Sequence, residues 1–132
     1  VRPFKRVLRL ATHEQIAREL VHAIKYRRRW ASVELVARVM LDQPSIASML
    51  RASDLLVPVP LHWTKHVARG FNQSDQLALA LAKLSPRLRV VRALRRTRRT
   101  ESQTAFDSKA ARLSNVKQAF ELVDDVSIPG KH

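Results

Sequence analysis

The first third of the chain repeats apolar residues at helical spacing. Such residues recur every four positions at Ile16, Leu20 and Ile24, which predicts an amphipathic helix over residues 12–28. A T-x-x-Q capping box stands at its start. The alternating residues 4–10 ahead of it predict a strand.

Two more helices are predicted before the first proline-rich stretch. One runs from Ser32 to about Leu41 and stops near Pro44, and a short one fills residues 45–51. We therefore expect a single domain in which helices make up residues 1–53 and the sheet begins after them.

The apolar run of residues 55–57 predicts a fully buried strand, as in a parallel sheet. Pro58 and Pro60 end it, because proline cannot donate a hydrogen bond to a neighbouring strand. Residues 58–71 are interpreted as a loop, and a helix is predicted from Asn72 or Gln73 onwards to residue 84.

The rest of the core, within residues 54–132, alternates again between strands and helices. A strand is predicted over residues 88–94, then a helix capped by Asp107 through about Val116, then extended chain over residues 119–123. This alternation indicates an α/β fold with a mostly parallel sheet.

The charge of the chain favours polyanionic partners. Its 132 residues carry 25 lysines and arginines against 11 acidic residues, a net charge of +14. Nucleic acid, phosphorylated metabolites and an anionic membrane surface all fit this balance, and so does an ordinary solvated basic surface. The candidate nucleic-acid or phosphate contacts are Lys25, Arg27, Arg95, Arg96, Arg98 and Arg99.

Several classes are excluded by what the sequence lacks. The absence of cysteine rules out disulfides and cysteine-bound zinc within this chain, and the scattered histidines predict no metal site. No apolar run approaches ~18 residues, so membrane insertion is not expected. Without a signal peptide at its start the chain is predicted to be cytoplasmic, and without an initiator methionine it is expected to be a fragment.

The segment between the buried strand and the next helix is the candidate site. In open α/β sheets, ligands bind beyond the carboxyl ends of the strands, and a helix N-terminus there attracts anions. An ordinary basic loop with an asparagine cap is the alternative. The candidate anion-binding residues are Val59, Pro60, Leu61, His62, Lys65, Arg69, Gly70, Asn72 and Gln73.

The sequence DLLVPVPLHWTKHVARGFNQSDQLALALAK resembles the signature of the ComF-type phosphoribosyltransferase family, whose members are relatives of amidophosphoribosyltransferase. The V-P-V-P-L-H step and the R-G-F-N-Q pentapeptide carry the resemblance. LVHAIKYRRR is similar to the family segment ahead of it, and RRTRRTESQTAF with RLSNVKQAF to the segment behind it. Gln103, Arg112 and Asn115 match family positions there.

The resemblance implies a type I phosphoribosyltransferase fold and a link to DNA uptake. In such transferases, which are glycosyltransferases, a nucleophile displaces pyrophosphate from phosphoribosyl pyrophosphate with Mg²⁺ bound. Loop N–H groups and basic side chains would stabilise the leaving group. Mg²⁺ is expected here only together with phosphoribosyl pyrophosphate in the full-length protein.

Two family features are missing from this sequence. There is no cysteine-rich zinc ribbon, and no ribose-phosphate loop similar to D-D-V-x-T-T-G-x-T. Asp124 and Asp125 invite that assignment, but we reject it because Pro129 lacks an N–H and no Thr-Thr-Gly follows. The fold is therefore expected to be incomplete at the C-terminus and the chain alone to be inactive.

Two other functions remain open at this point. One is that of a non-catalytic competence factor that binds single-stranded DNA. The other is that of a module that docks on a helicase-like partner. An unpaired flank of residues 55–57 would also favour self-association of the chain as a homo-oligomer.

Overall fold

The computed structural model describes residues 5–10, 30–101, 105 and 107–123. In chain order the elements are α1 (Trp30–Asp42), α2 (Pro44–Arg51), β1 (Leu55–Leu56), α3 (Trp63–Arg69), α4 (Gln73–Leu84), β2 (Arg89–Val90), β3 (Leu94–Arg96), α5 (Lys109–Val116) and β4 (Phe120–Leu122). The helix predicted over residues 12–28 lies outside the described residues. Residues 5–10 form no strand, so that prediction is wrong at these positions.

The helices α1 and α2 confirm the two predictions made for this part of the chain. Pro44 does more than stop α1, because it is also the first residue of α2, where its missing N–H needs no partner. Gln43 precedes it with extended backbone angles, and its carbonyl oxygen accepts from the N–H of Ala47 at 2.8 Å.

The core lies where α1 packs against α2 and α4. Each helix contributes the small or branched residues of its apolar face, and Leu88 closes the cluster just before β2. The buried residues of this cluster are Ala37, Ile46, Leu50, Leu81 and Leu88. Burial of such side chains contributes roughly 1.5–3 kcal/mol each, so the core fixes α4 relative to α1.

The strands form two separate pairs within the described residues. The β1 and β2 strands are parallel, with Leu55 opposite Arg89 and Leu56 opposite Val90. The β3 and β4 strands are antiparallel, with Arg95 opposite Glu121. The antiparallel pair departs from a mostly parallel sheet, and the predicted phosphoribosyltransferase-like α/β fold stays a prediction.

Two strand predictions need correction. The single strand expected over residues 88–94 is two short strands. The chain stops pairing with β1 after Val91 and then pairs with the segment around β4, where the N–H of Val123 donates to Ala93 O at 3.0 Å. The first strand is not fully buried. Leu55 and Leu56 are half-buried and Val57 is 41% exposed, since β1 has one strand neighbour within the described residues.

The cap of α5 is also corrected. Ser108, not Asp107, is the N-cap residue, and its Oγ accepts a hydrogen bond from the N–H of Ala111 at 3.1 Å. Asp107 is exposed one residue earlier. Serine and aspartate cap helices about equally well, so the sequence alone did not decide between these neighbours.

Candidate functional site

A short helix stands where the sequence predicted only a loop. The seven residues of α3 begin after His62, whose Nδ1 accepts from the N–H of Thr64 at 3.4 Å and lies 2.9 Å from Thr64 Oγ1. His62 is buried. It therefore caps α3, and its predicted contact with pyrophosphate stays a prediction.

The end of α3 depends on Gly70. Its φ of 75° lies in the left-handed region, and its N–H donates to the carbonyl of His66 at 2.7 Å. Glycine adopts this conformation without the steric cost of a Cβ. The next side chain, Phe71, turns inward and is buried. Gly70 thus sets the turn from α3 into α4.

Asn72 joins both ends of the candidate segment. Its Nδ2 donates to Val59 O at 3.0 Å, while its Oδ1 accepts from the N–H of Ser74 at 3.1 Å as the N-cap of α4. One side chain therefore ties the exit of β1 to the start of α4. Asn72 is therefore a brace for the loop, and its predicted role as a ligand donor stays a prediction.

Val59 and Leu61 carry the backbone N–H groups on either side of Pro60, just after β1. Within the described part of the chain, neither Val59 nor Leu61 donates a backbone hydrogen bond. Pro58 and Pro60 on either side of Val59 have no N–H at all. Concave runs of free backbone N–H groups are a common way to hold phosphate oxygens.

The two predicted cations of this segment lie on α3. The backbones of Lys65 and Arg69 are one helical turn apart in that helix, directly before Gly70. Their predicted contacts with an anion stay a prediction, as does the role of Gln73 at the first position of α4.

The start of α4 already has an acidic residue of its own. Asp75 lies in its first turn and receives two hydrogen bonds from Arg92, at 2.7 Å from Nε and 2.8 Å from Nη2. Hydrogen bonding and the charge of Asp75 raise the pKa of Arg92 above its usual range. Asp75 and Asn72 therefore already occupy the positive end of α4.

The predicted basic cluster is not a uniform free surface. Arg95 forms an exposed ion pair with Glu121 at 3.2 Å. The guanidinium of Arg96 lies 5.2 Å from the centre of the Phe120 ring and bonds Thr100 Oγ1. Burial lowers the pKa of Arg96. Lys25 and Arg27 lie outside the described residues.

Arg98 and Arg99 have different surroundings. Arg98 Nη2 donates to the carbonyls of Asn115 and Lys117, each at 2.8 Å, and so closes the C-terminal end of α5. Asn115 Nδ2 in turn donates to Glu101 O at 3.1 Å. Arg99 is exposed and has no partner within the described residues. Of these two arginines, Arg99 is the one free to bind a polyanion.

The expectation that Mg²⁺ binds together with phosphoribosyl pyrophosphate stays a prediction. Within the described residues no group of three or more histidines, aspartates or glutamates comes together. Asp75, in the first turn of α4, forms an ion pair with Arg92. Asp124 and Asp125, which we did not assign to a ribose-phosphate site, lie outside the described residues, as does Gln103.

No helix in the described ranges combines the length and apolar character needed to span a bilayer. The predicted cytoplasmic location stays a prediction.

The chain is similar to proteins named DNA utilization protein YhgH. It is 32% identical to the one from Escherichia coli strain K12 and 31% identical to the one from Salmonella typhimurium strain LT2, over 133 aligned residues in each case. Each alignment covers 98% of this chain but 57% of the relative, so the chain spans little more than half of their length. No protein-family profile and no solved structure matches it significantly.

Proposed function

We propose that this chain binds the pyrophosphate group of phosphoribosyl pyrophosphate through residues 58–73, as part of a ComF-type phosphoribosyltransferase-like protein that acts in DNA utilization. The observation that carries the proposal is the loop after β1. Its amides of Val59 and Leu61 are unpaired within the described chain, and Asn72 fixes Val59 from the other side.

The physical argument is one of preorganisation. A pyrophosphate leaving group develops negative charge as it departs, and fixed N–H donors stabilise that charge without reorganising. Lys65 and Arg69 on the adjacent helix supply positive charge, and charge-assisted hydrogen bonds to phosphate are stronger than neutral ones. The resemblance in V-P-V-P-L-H and R-G-F-N-Q supports the same assignment.

The wider role rests on the relatives. They are named for DNA utilization, and they align with nearly the whole of this chain. Transferase activity, the acceptor nucleophile and any Mg²⁺ requirement are proposed for a protein of the relatives' length. For the 132-residue chain itself we propose anion binding without turnover.

Calorimetry with pyrophosphate tests this proposal. Arg69→Ala is expected to weaken binding by about 10-fold or more, since a hydrogen bond to a charged group is worth ~1.5–3 kcal/mol. Lys83→Ala, at the other end of α4, removes the same charge from an exposed position and serves as the control. Equal affinity of wild type and Arg69→Ala would remove the site from this loop.

A second candidate function is the binding of single-stranded nucleic acid without catalysis. The net charge of +14 favours it, together with the name of the relatives. Its signature is a steep loss of affinity for DNA as salt rises, because phosphate contacts release counterions. Salt-insensitive binding to a helicase-like protein would instead favour the protein-docking alternative.

A further inference from the structure

A groove separates α3 from the strand β3. It has a volume of about 500 Å³, and its walls include Trp63, His66 and Val67 on one side and Leu94, Arg95 and Arg96 on the other. Sites for small organic groups commonly span roughly 300–1,000 Å³. Pro60 and Leu61 also line the groove, so it borders the loop proposed for pyrophosphate, whereas Val59 and the brace at Asn72 lie outside its lining.

The α3 wall exposes an aromatic face. Trp63 is 68% exposed and Val67 is 74% exposed, although both are apolar and lie one helical turn apart. The Trp63 ring is 5.8 Å from the ring of His62, tilted by 38°, and His62 is itself buried as the cap of α3. An indole on a capped helix, with its face toward solvent, is a preformed surface for stacking.

The β3 wall supplies the positive charge of two arginines in different surroundings. The Nε of Arg96 is buried and has no hydrogen-bond partner among the described residues. No acidic side chain pairs with Arg96 there, whereas Arg95 beside it shares an exposed ion pair with Glu121. An aromatic surface facing arginines across one groove matches the two parts of a nucleotide, a flat base and a phosphate.

We propose that this groove binds single-stranded DNA, with one base stacked on Trp63 and the adjoining phosphate attracted by Arg95 and Arg96. This proposal rests on the nucleic-acid-binding function given above as the second candidate, and it says where the strand binds. Stacking on aromatic side chains beside a basic wall is how many proteins hold single strands without reading their sequence.

The two walls together favour this occupant over others. An apolar peptide would cover Trp63 and Val67 but would leave the guanidinium of Arg96 without a counter-charge. Free pyrophosphate would satisfy the arginines but not the indole. Duplex DNA would offer phosphates, while its bases stay stacked on one another. An unpaired nucleotide in a strand uses both walls at once.

The test compares two substitutions at Trp63 by fluorescence anisotropy with labelled oligothymidylate about 15 nucleotides long. Trp63→Leu keeps an apolar side chain but has no aromatic face, and we expect it to weaken binding about 5- to 100-fold. Trp63→Phe keeps a ring and should retain most of the affinity. Binding of a duplex of equal length should change little in either variant.

Two arginine variants test the opposite wall. Arg95→Gln and Arg99→Gln remove the same charge, but only Arg95 lines the groove. We expect the larger loss of single-strand affinity from Arg95→Gln. A loss of equal size in both variants would indicate a diffuse charge effect and would overturn the groove as the site.

The remaining outcomes separate this proposal from the functions above. If the wild-type chain binds no single-stranded DNA even at low salt, nucleic-acid binding itself fails, and this groove with it. If it binds but Trp63→Leu binds equally well, the groove is wrong while the function stands. A Trp63→Leu variant that changes only self-association in light scattering would assign the groove to a second copy of the chain. Pyrophosphate affinity should be the same in both Trp63 variants.

Discussion

The side-chain amide of Asn72 donates to the carbonyl oxygen of Val59, 13 residues earlier, at 3.0 Å. The same side chain caps α4 through its Oδ1. The residues between them include α3 and its glycine turn, so this one asparagine closes the loop. The geometry of the free Val59 and Leu61 amides depends on that closure.

Substitutions at Asn72 should separate capping from bracing. Asn72→Ala removes both contacts and should cost about 1–3 kcal/mol of unfolding free energy. Asn72→Ser keeps a good cap but cannot reach Val59, and should cost about 1 kcal/mol or less. Urea unfolding measures both. If serine restores stability but not pyrophosphate affinity, the brace to Val59 is what shapes the anion site.

Phe71 should be a major contributor to the stability of this turn. Its side chain is 7% exposed, directly after the left-handed Gly70. Phe71→Ala should lower the free energy of unfolding by about 3 kcal/mol, because a large apolar side chain leaves a cavity. Phe71→Leu conserves most of the volume and should cost less than about 1.5 kcal/mol. A loss below about 1 kcal/mol for the alanine variant would show that the turn is held without this ring.

The ion pair of Arg92 and Asp75 should couple α4 to the exit of β2. Its geometry is bidentate, but Arg92 remains largely exposed, so a double-mutant cycle should give a coupling of about 0.5–1 kcal/mol. The coupling should fall in about 1 M salt, where charges are screened within ~3 Å. The exposed Glu34–Arg38 pair within α1 is the matched comparison, expected at ~0.3–0.5 kcal/mol. Equal values for the two pairs would contradict a special role for Arg92.

Arg98 and Arg99 should differ although they are neighbours of the same type. Arg98→Ala removes the bonds to the carbonyls at the end of α5 and should cost about 1 kcal/mol of stability. Arg99→Ala should leave the melting temperature unchanged. If Arg99 contacts a phosphate, its removal should reduce the salt slope of single-strand binding by about 0.7. The reverse pattern, a destabilised Arg99→Ala, would contradict the contacts described.

Local patterns were enough to predict several elements. The helices α1, α2 and α4 and the extended chain at β4 follow from apolar spacing, from Pro44 and from the asparagine at the start of α4. These features act within a few residues, so the sequence displays them directly. Asn72 was correctly predicted to lie at the start of α4, whereas its bond to Val59 spans 13 residues and left no local signal.

The sequence by itself determined the charge of the chain and the strand stopped by two prolines, because each depends on residue type and immediate neighbours. The tertiary structure decided which partner each arginine has. Arg98 donates to carbonyl groups at the end of α5, Arg95 pairs with Glu121 and Arg92 pairs with Asp75. Arg99 has no partner among the described residues. These partners cannot be predicted from a run of similar basic residues, because each partner depends on which strand or helix packs beside the arginine. The burial of His62 and the exposure of Trp63 on one short helix were decided in the same way.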